Sequence, residues 1–232
     1  MISHDRDCII CGAELEYLAK SEKMTCNLCN REFDVLCRCK NGHYVCDDCH
    51  KTGFRSQLIP ALLECREGDP QKIFDMVTAL PGVHMHGPEH HVIVPCVLLT
   101  AFYNCGGDIE LEEALREAVN RADSIPGGTC GFWGACGASV GAGIFLSIVI
   151  GAGPLSRAAW SLPQELVKNC LESNIAFGGP RCCKRTGRLA IEAAVNMTAE
   201  RLGIVIPWTI PTCSQHERNR ECLKAKCPYY PR

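Results

Sequence analysis

The chain has 232 residues, with 47 % hydrophobic and 22 % charged side chains and a formal net charge of −2. That length allows one sizeable core plus a small satellite module, and the charge balance argues against a protein built for polyanions or membrane surfaces. The abnormal feature is the 19 cysteines.

The run from Met1 to Asp7 is polar and carries no apolar core, so it does not read as a secretory signal. Cysteines in close CxxC pairs read better as metal ligands in a reducing compartment than as a disulfide framework. The expectation is a cytoplasmic protein of a strongly reducing host, because thiols this numerous invite oxidation.

Residues 1–55 hold eight cysteines and few large aliphatic side chains. Such a segment cannot bury enough apolar surface to fold alone and needs a staple. Cys8-x2-Cys11 and Cys26-x2-Cys29 are two CxxC knuckles 14 residues apart. Four thiolates on two tight turns suit a tetrahedral ion, which gives a zinc-ribbon reading; a rubredoxin-like iron site is the alternative, since spacing separates the two metals poorly. A second set follows: Cys37, Cys39, His43, Cys46, Cys49 and His50. Cys46 and Cys49 form one knuckle, completed by two of Cys37, Cys39 and His43, with His50 left over. A cross-braced arrangement, in which the pairs interleave, is also open. Either way two zinc ions are expected. Residues 1–55 carry eight Lys/Arg against nine Asp/Glu, which disfavours nucleic acid and leaves docking of a protein partner as a possible role for the module.

From about Ser56 the texture becomes helical, and residues 56–232 read as an α-helical, cysteine-rich domain, so the fold class is mainly α. Helices are expected over Gln57–Cys65, Pro70–Leu80, Gly87–Asn104, Ile109–Arg121 (capped by Asp108), Leu162–Asn174 and Thr186–Leu202, with strand signal only at Gly203–Trp208. No charged residue lies between Ile125 and Ser156. The apolar run Ala135–Gly153 reads as a central helix buried on all sides rather than a membrane span: it is rich in Gly and Ala and has no basic flank. Gly137, Gly141 and Gly143 would let neighbouring helices come close. Lone Cys65, Cys96, Cys105 and Cys170 read as small core residues.

Three constellations could carry chemistry. His84, His86, Glu89, His90 and His91 crowd one helix start, where imidazoles could bind metal or move protons with Glu89 as acceptor. Cys130 and Cys136 lie in a glycine-rich run leading into the apolar helix, a place for a reactive thiolate or cluster ligand. Cys213, Cys222 and Cys227, the last followed by proline, have the texture of an iron–sulfur site with Cys183 or Cys182 as fourth ligand. The basic surroundings, ten Lys/Arg against four Asp/Glu from Arg181 to Arg232, suit an anionic cluster or substrate.

The runs Gly82–His91, Gly128–Gly137, Gly179–Lys184 and Asn41–Cys46, with the closing Cys222 and Cys227-Pro-Tyr, together resemble a cysteine-rich domain family of bacteria and archaea of unknown function. Some of its relatives are labelled S-adenosylmethionine-dependent methyltransferases, a label that no strand–GxGxG–helix signature supports in this chain. The functional expectation is a metalloprotein enzyme, of lyase or transferase type, doing 4Fe-4S-dependent or thiol chemistry on a small anionic or thiol substrate. Its site would join His86, Glu89, His90 and Cys136 with a cluster on Cys183, Cys213, Cys222 and Cys227. The rivals are a metal-carrying scaffold or cluster-delivery protein, and a thiol redox or metal sensor.

Overall fold

A computed structural model describes residues 7–232; residues 1–6, which make up most of the opening polar run, lie outside the described residues. The fold is mainly α. It begins with a two-stranded antiparallel hairpin, β1 (Leu15–Thr25) and β2 (Glu32–Cys39), in which Leu15 faces Cys39 and Tyr17 faces Cys37. The register slips between Tyr17 and Glu22. The hairpin is absent from the sequence reading, because most of β1 is exposed and its side chains do not alternate apolar with polar.

Helix α1 (Asp47–Glu64) starts ten residues before the expected Gln57. Its first turn carries Cys49 and His50, and it continues through Thr52–Ser56, where the texture of the sequence changes. The hairpin module and the helical region therefore share a rigid element. Phe54, Leu58 and Leu62 are buried along its inner face.

Helix α2 (Pro70–Thr78) has Pro70 in its first turn and Asp69 as N-cap, whose side chain accepts a 2.9 Å hydrogen bond from Gln71 N. Helix α3 (Glu89–Asn104) is the axis of the molecule: every side chain from Glu89 to Phe102 is buried, and α1, α2, α4, α6 and α8 all pack on it. A helix apolar all round needs neighbours all round. Helix α4 (Leu111–Asp123) is amphipathic, with Leu111, Ala114, Leu115 and Ala118 facing in. Its N-cap is Glu110 rather than the expected Asp108, and no side-chain capping bond forms there.

A short turn of helix, α5 (Thr129–Phe132), leads to α6 (Gly137–Val149), then α7 (Ser161–Phe177) and α8 (Cys183–Leu202), which ends on Gly203 at a φ of 70°. Helix α6 is shorter than the apolar run and only partly enclosed, so the all-round burial expected of it belongs to α3. Its glycines do admit close neighbours: Gly137 sits under the His91 ring, Gly141 against His91 O and Pro95, and Gly143 against Val167 and Pro163. Among the described residues no helix is long and apolar enough to cross a membrane. Gly203–Trp208 is unpaired, not a strand, because among the described residues no strand lies beside it to complete its hydrogen bonds. Cys65, Cys96 and Cys170 are core residues, and Cys105 packs at the core's edge.

Candidate functional site

The hairpin folds the N-terminal cysteines into two separate sets of four. Cys8, Cys11, Cys39 and His43 form one; Cys26, Cys29, Cys46 and Cys49 form the other. In each set the ligand atoms lie within 4.8 Å of one another. The pairs interleave along the chain, so of the zinc-ribbon-like arrangements expected, treble-clef or cross-brace, the module is the cross-brace; the pairing of Cys8 and Cys11 with Cys26 and Cys29, and of Cys46 and Cys49 with two of Cys37, Cys39 and His43, is replaced by these two sets. The physical cause is β2: by returning antiparallel along β1 it brings Cys39 to the Cys8–Cys11 turn and carries Cys46 and Cys49 back to Cys26–Cys29. Cys11 Sγ is 3.5 Å from Cys39 Sγ and Cys29 Sγ is 3.8 Å from Cys46 Sγ. Four sulfurs about 2.3 Å from one ion would stand about 3.8 Å apart. Backbone amides of Asn41 and Cys46 point at Cys39 Sγ and Cys26 Sγ, each at 3.3 Å, and Arg31 Nε reaches Cys29 Sγ at 3.5 Å. Hydrogen bonds centred on Ala13 N and on Arg31 respectively bring the Cys11 and Cys29 thiols down to about 6, whereas burial pushes Cys8 up to about 11 and also raises Cys46 and Cys49. Both sets suit zinc or another thiophilic metal. Cys37 belongs to neither, and points instead toward a cavity.

That cavity, about 620 Å³, lies between the hairpin module and the helices, a size that suits a small molecule. Tyr17, Cys37, His86, His90, His91, Cys130, Cys136, Arg181, Cys182 and Cys183 line it. The glycine-rich loop before α6 supplies Cys130 and Cys136, the latter as N-cap of α6, where unpaired N–H groups favour an anion. The turn before α8 supplies Arg181, whose guanidinium lies 5.2 Å over the Tyr17 ring and forms no ion pair among the described residues. Burial pushes the Cys130 thiol up and that of Cys183 up to about 12, with the Arg181 charge opposing in both cases.

The histidines are less free than the sequence suggests. His86 Nε2 bonds Asn219 Oδ1 at 3.1 Å and Glu221 Oε2 at 3.2 Å, while Nδ1 accepts from Cys183 N at 3.5 Å. His90 is fully buried, with Nδ1 3.2 Å from Gly87 O and Nε2 3.0 Å from Lys184 Nζ. Burial beside Lys184 keeps its pKa well below the usual histidine range. Both rings thus have their nitrogens engaged by protein, which limits them as proton carriers. His91 uses Nδ1 on Ile125 O at 3.2 Å.

Glu89 does not reach the cavity. It is fully buried and turns toward His50 and His84, with Oε2 3.2 Å from His50 Nδ1 and Oε1 3.5 Å from His84 Nδ1. Burial alone would raise its pKa, but the two imidazoles outweigh that and hold the carboxyl well below the usual range. His50, the residue left over in the sequence reading, is therefore half-buried and engaged. Nothing in its spacing signals this, since Glu89 is 39 positions away.

The distal cysteines form a place of their own. Cys213, Cys222 and Cys227 surround a small cavity of about 20 Å³ together with Cys182, Arg185 and Arg188. Of the adjacent pair, Cys182 lines both this cavity and the large one, whereas Cys183 lines the large one alone. The large cavity brings together His86, His90, His91, Cys130, Cys136 and Cys183, while Cys213, Cys222 and Cys227 line the smaller one and Glu89 lines neither.

A cross-brace with two potential metal sites, leading into a helical bundle with a thiol-lined cavity at the join, defines a cysteine-rich protein organised around metal ligands. The chain belongs to the family of unknown function DUF5714, whose model matches residues 58–230. The match takes in the cavity's helical wall and the distal cysteines and leaves the cross-brace outside. No curated protein and no solved structure matches the chain.

Proposed function

We propose that this protein is a cytoplasmic metalloenzyme that performs thiol or iron–sulfur-dependent chemistry on a small anionic or thiol substrate bound in the 620 Å³ cavity. The observation that carries this reading is the convergence of Cys130, Cys136 and Cys183 on one cavity around Arg181, a half-buried cation that makes no close ion pair among the described residues and feels Glu221 only from a distance. An ordinary helical core has no need of three thiols and a guanidinium at one opening. Arg181 supplies the charge for an anionic group, Cys136 stands at a helix N-terminus beside it, and His86 and Tyr17 shape the wall. Zinc in the two cross-brace sets holds the hairpin wall in place. A 4Fe-4S cluster, in this reading, is carried by Cys182, Cys213, Cys222 and Cys227, with Arg185 and Arg188 offsetting its charge.

The test is anaerobic purification with metal, sulfide and visible-absorption analysis, followed by thermal-shift titration with small thiols, thiocarboxylates and carboxylates. The expected result is a ligand whose stabilisation is lost in Arg181→Gln and reduced in Cys136→Ser. If every ligand found stabilises wild type and both variants equally, the cavity is not the binding site. A metal-carrying scaffold is the second reading, favoured by the exposure of Phe132 and Trp133 beside the opening; it predicts no cavity ligand at all.

A further inference from the structure

Apart from the cysteine sets, the described residues hold a group of potential ligands whose chemistry differs. His50, on the first turn of α1, His84, in the turn after α2, and Glu89, the first residue of α3, bring their ligand atoms within 4.8 Å of one another. His50 Nδ1, His84 Nδ1 and Glu89 Oε2 are each buried and each without a hydrogen-bond partner. The Nδ1–Oε separations of 3.2 and 3.5 Å are short enough for ion pairs, yet the alignment makes no hydrogen bond. Three orphaned buried polar atoms aimed at one another carry a heavy desolvation cost if nothing joins them.

We propose that His50 Nδ1, His84 Nδ1 and Glu89 form a third metal site, for a borderline divalent cation such as zinc or ferrous iron. Ligand atoms about 2.0–2.1 Å from a tetrahedral ion stand about 3.3–3.4 Å apart, close to the 3.2 Å between His50 Nδ1 and Glu89 Oε2, and the three ligand atoms all lie within 4.8 Å of one another. The carboxylate is prepared for the task. Oε1 accepts from His84 N at 2.8 Å, which fixes the group and leaves Oε2 over. Gly87 provides its berth, since a Cβ there would collide with the carboxylate.

Two histidines and one carboxylate make three protein ligands, with a coordination position left for water or a ligand, as in catalytic rather than structural sites. His50 also lines the large cavity, so the ion would sit at its edge. It would also tie the hairpin module to the central helix, because His50 directly follows Cys49 of the second cross-brace set. The proposal does not depend on the cavity's being an active site: a failed substrate screen leaves it untouched, and a failed metal count leaves the screen untouched.

The test is anaerobic titration of the full chain, demetallated and refolded with two equivalents of zinc, with cobalt(II) as the probe. Wild type should take up a further equivalent whose spectrum lacks sulfur-to-cobalt charge transfer, as a nitrogen and oxygen donor set requires. Glu89→Gln and His84→Ala should lose that equivalent and keep the first two, whereas Cys213→Ser should keep it. The proposal is overturned if wild type shows no sulfur-free cobalt equivalent, or if folded Glu89→Gln and His84→Ala bind it as wild type does. Should either variant fail to fold, the wild-type spectrum alone decides.

Discussion

Asp47 Oδ2 accepts a 2.6 Å hydrogen bond from Gly127 N, linking the first turn of α1 to the loop that carries Cys130 and Cys136. The bond ties the end of α1 that carries Cys49 to the opposite wall of the cavity, and because it is exposed, its contribution is modest. Asp47→Ala should cost about 1 kcal/mol and speed amide exchange across residues 127–133, measured by mass spectrometry, while α3 and α8 keep their protection. Asp47→Asn, which retains an acceptor, should lie between. Unchanged exchange in Asp47→Ala would show that the loop is held by other contacts.

The cross-brace pairing makes a prediction that a zinc-ribbon pairing reverses. Cys11 and Cys39 belong to one potential metal set, whereas Cys11 and Cys26 belong to different sets. The double variant Cys11→Ser/Cys39→Ser should therefore lose one zinc at the cross-brace, and Cys11→Ser/Cys26→Ser should lose two, counted by native mass spectrometry. Cys37→Ser should lose none, since Cys37 faces the cavity. Equal losses in the two double variants would reject the pairing.

The eight residues of the cross-brace sets stand out in the sequence as candidate ligands, with Cys37 beside them as a ninth, because CxxC turns and a nearby histidine have few other uses, but their pairing does not. Pairing depends on β1 and β2, whose exposed, charged strands give no alternation to read. The central helix has the opposite character: Val92 to Phe102 is so uniformly apolar that a helix there is plain, yet uniformity hides which of α3 and α6 is the axis. The start of α1 is concealed because its first turn is made of Cys49, His50 and acids rather than an apolar face. The meeting of His50 with Glu89 is tertiary, produced by α1 lying across the start of α3, and no local pattern encodes it. The histidine-rich run points to a site correctly in outline, but which of its nitrogens remain free depends on Lys184, Asn219 and Glu221, far along the chain.

Close approach of α6 to α3 depends on Gly141. A Cβ at this position would come 2.7 Å from His91 O and 2.9 Å from Pro95 Cδ. Both neighbours belong to the axis helix, and neither is the flexible end of a side chain. Gly141→Ala would gain helix propensity on its own, but here the helices must separate, and destabilisation of about 1–3 kcal/mol is expected. Chemical denaturation measures it. Gly131→Ala, where a Cβ meets nothing within 4 Å, is the control and should be near neutral. A Gly141→Ala variant as stable as wild type would mean that the α3–α6 contact can relax.

Lys184 is nearly fully buried, donates to His84 O at 3.1 Å and meets His90 Nε2 at 3.0 Å. Burial lowers its pKa from 10.5 to about 8, with the Glu89 charge only partly opposing. The unfolded chain, with the ordinary value, binds the proton more tightly between those two limits. The lysine therefore penalises the folded state in full below pH 8, and the penalty fades as pH rises from about 8 to 10.5. Wild-type stability minus that of Lys184→Met should accordingly rise across this window, by up to about 3 kcal/mol. Taking the difference cancels the ionisation of the many thiols, which the two proteins share. Denaturant melts at pH 7.5, 8.5 and 9.5 under reducing conditions would measure it. A difference that stays flat across the series would mean that Lys184 keeps its ordinary pKa, and that the amine beside His84 and His90 remains fully charged at neutral pH.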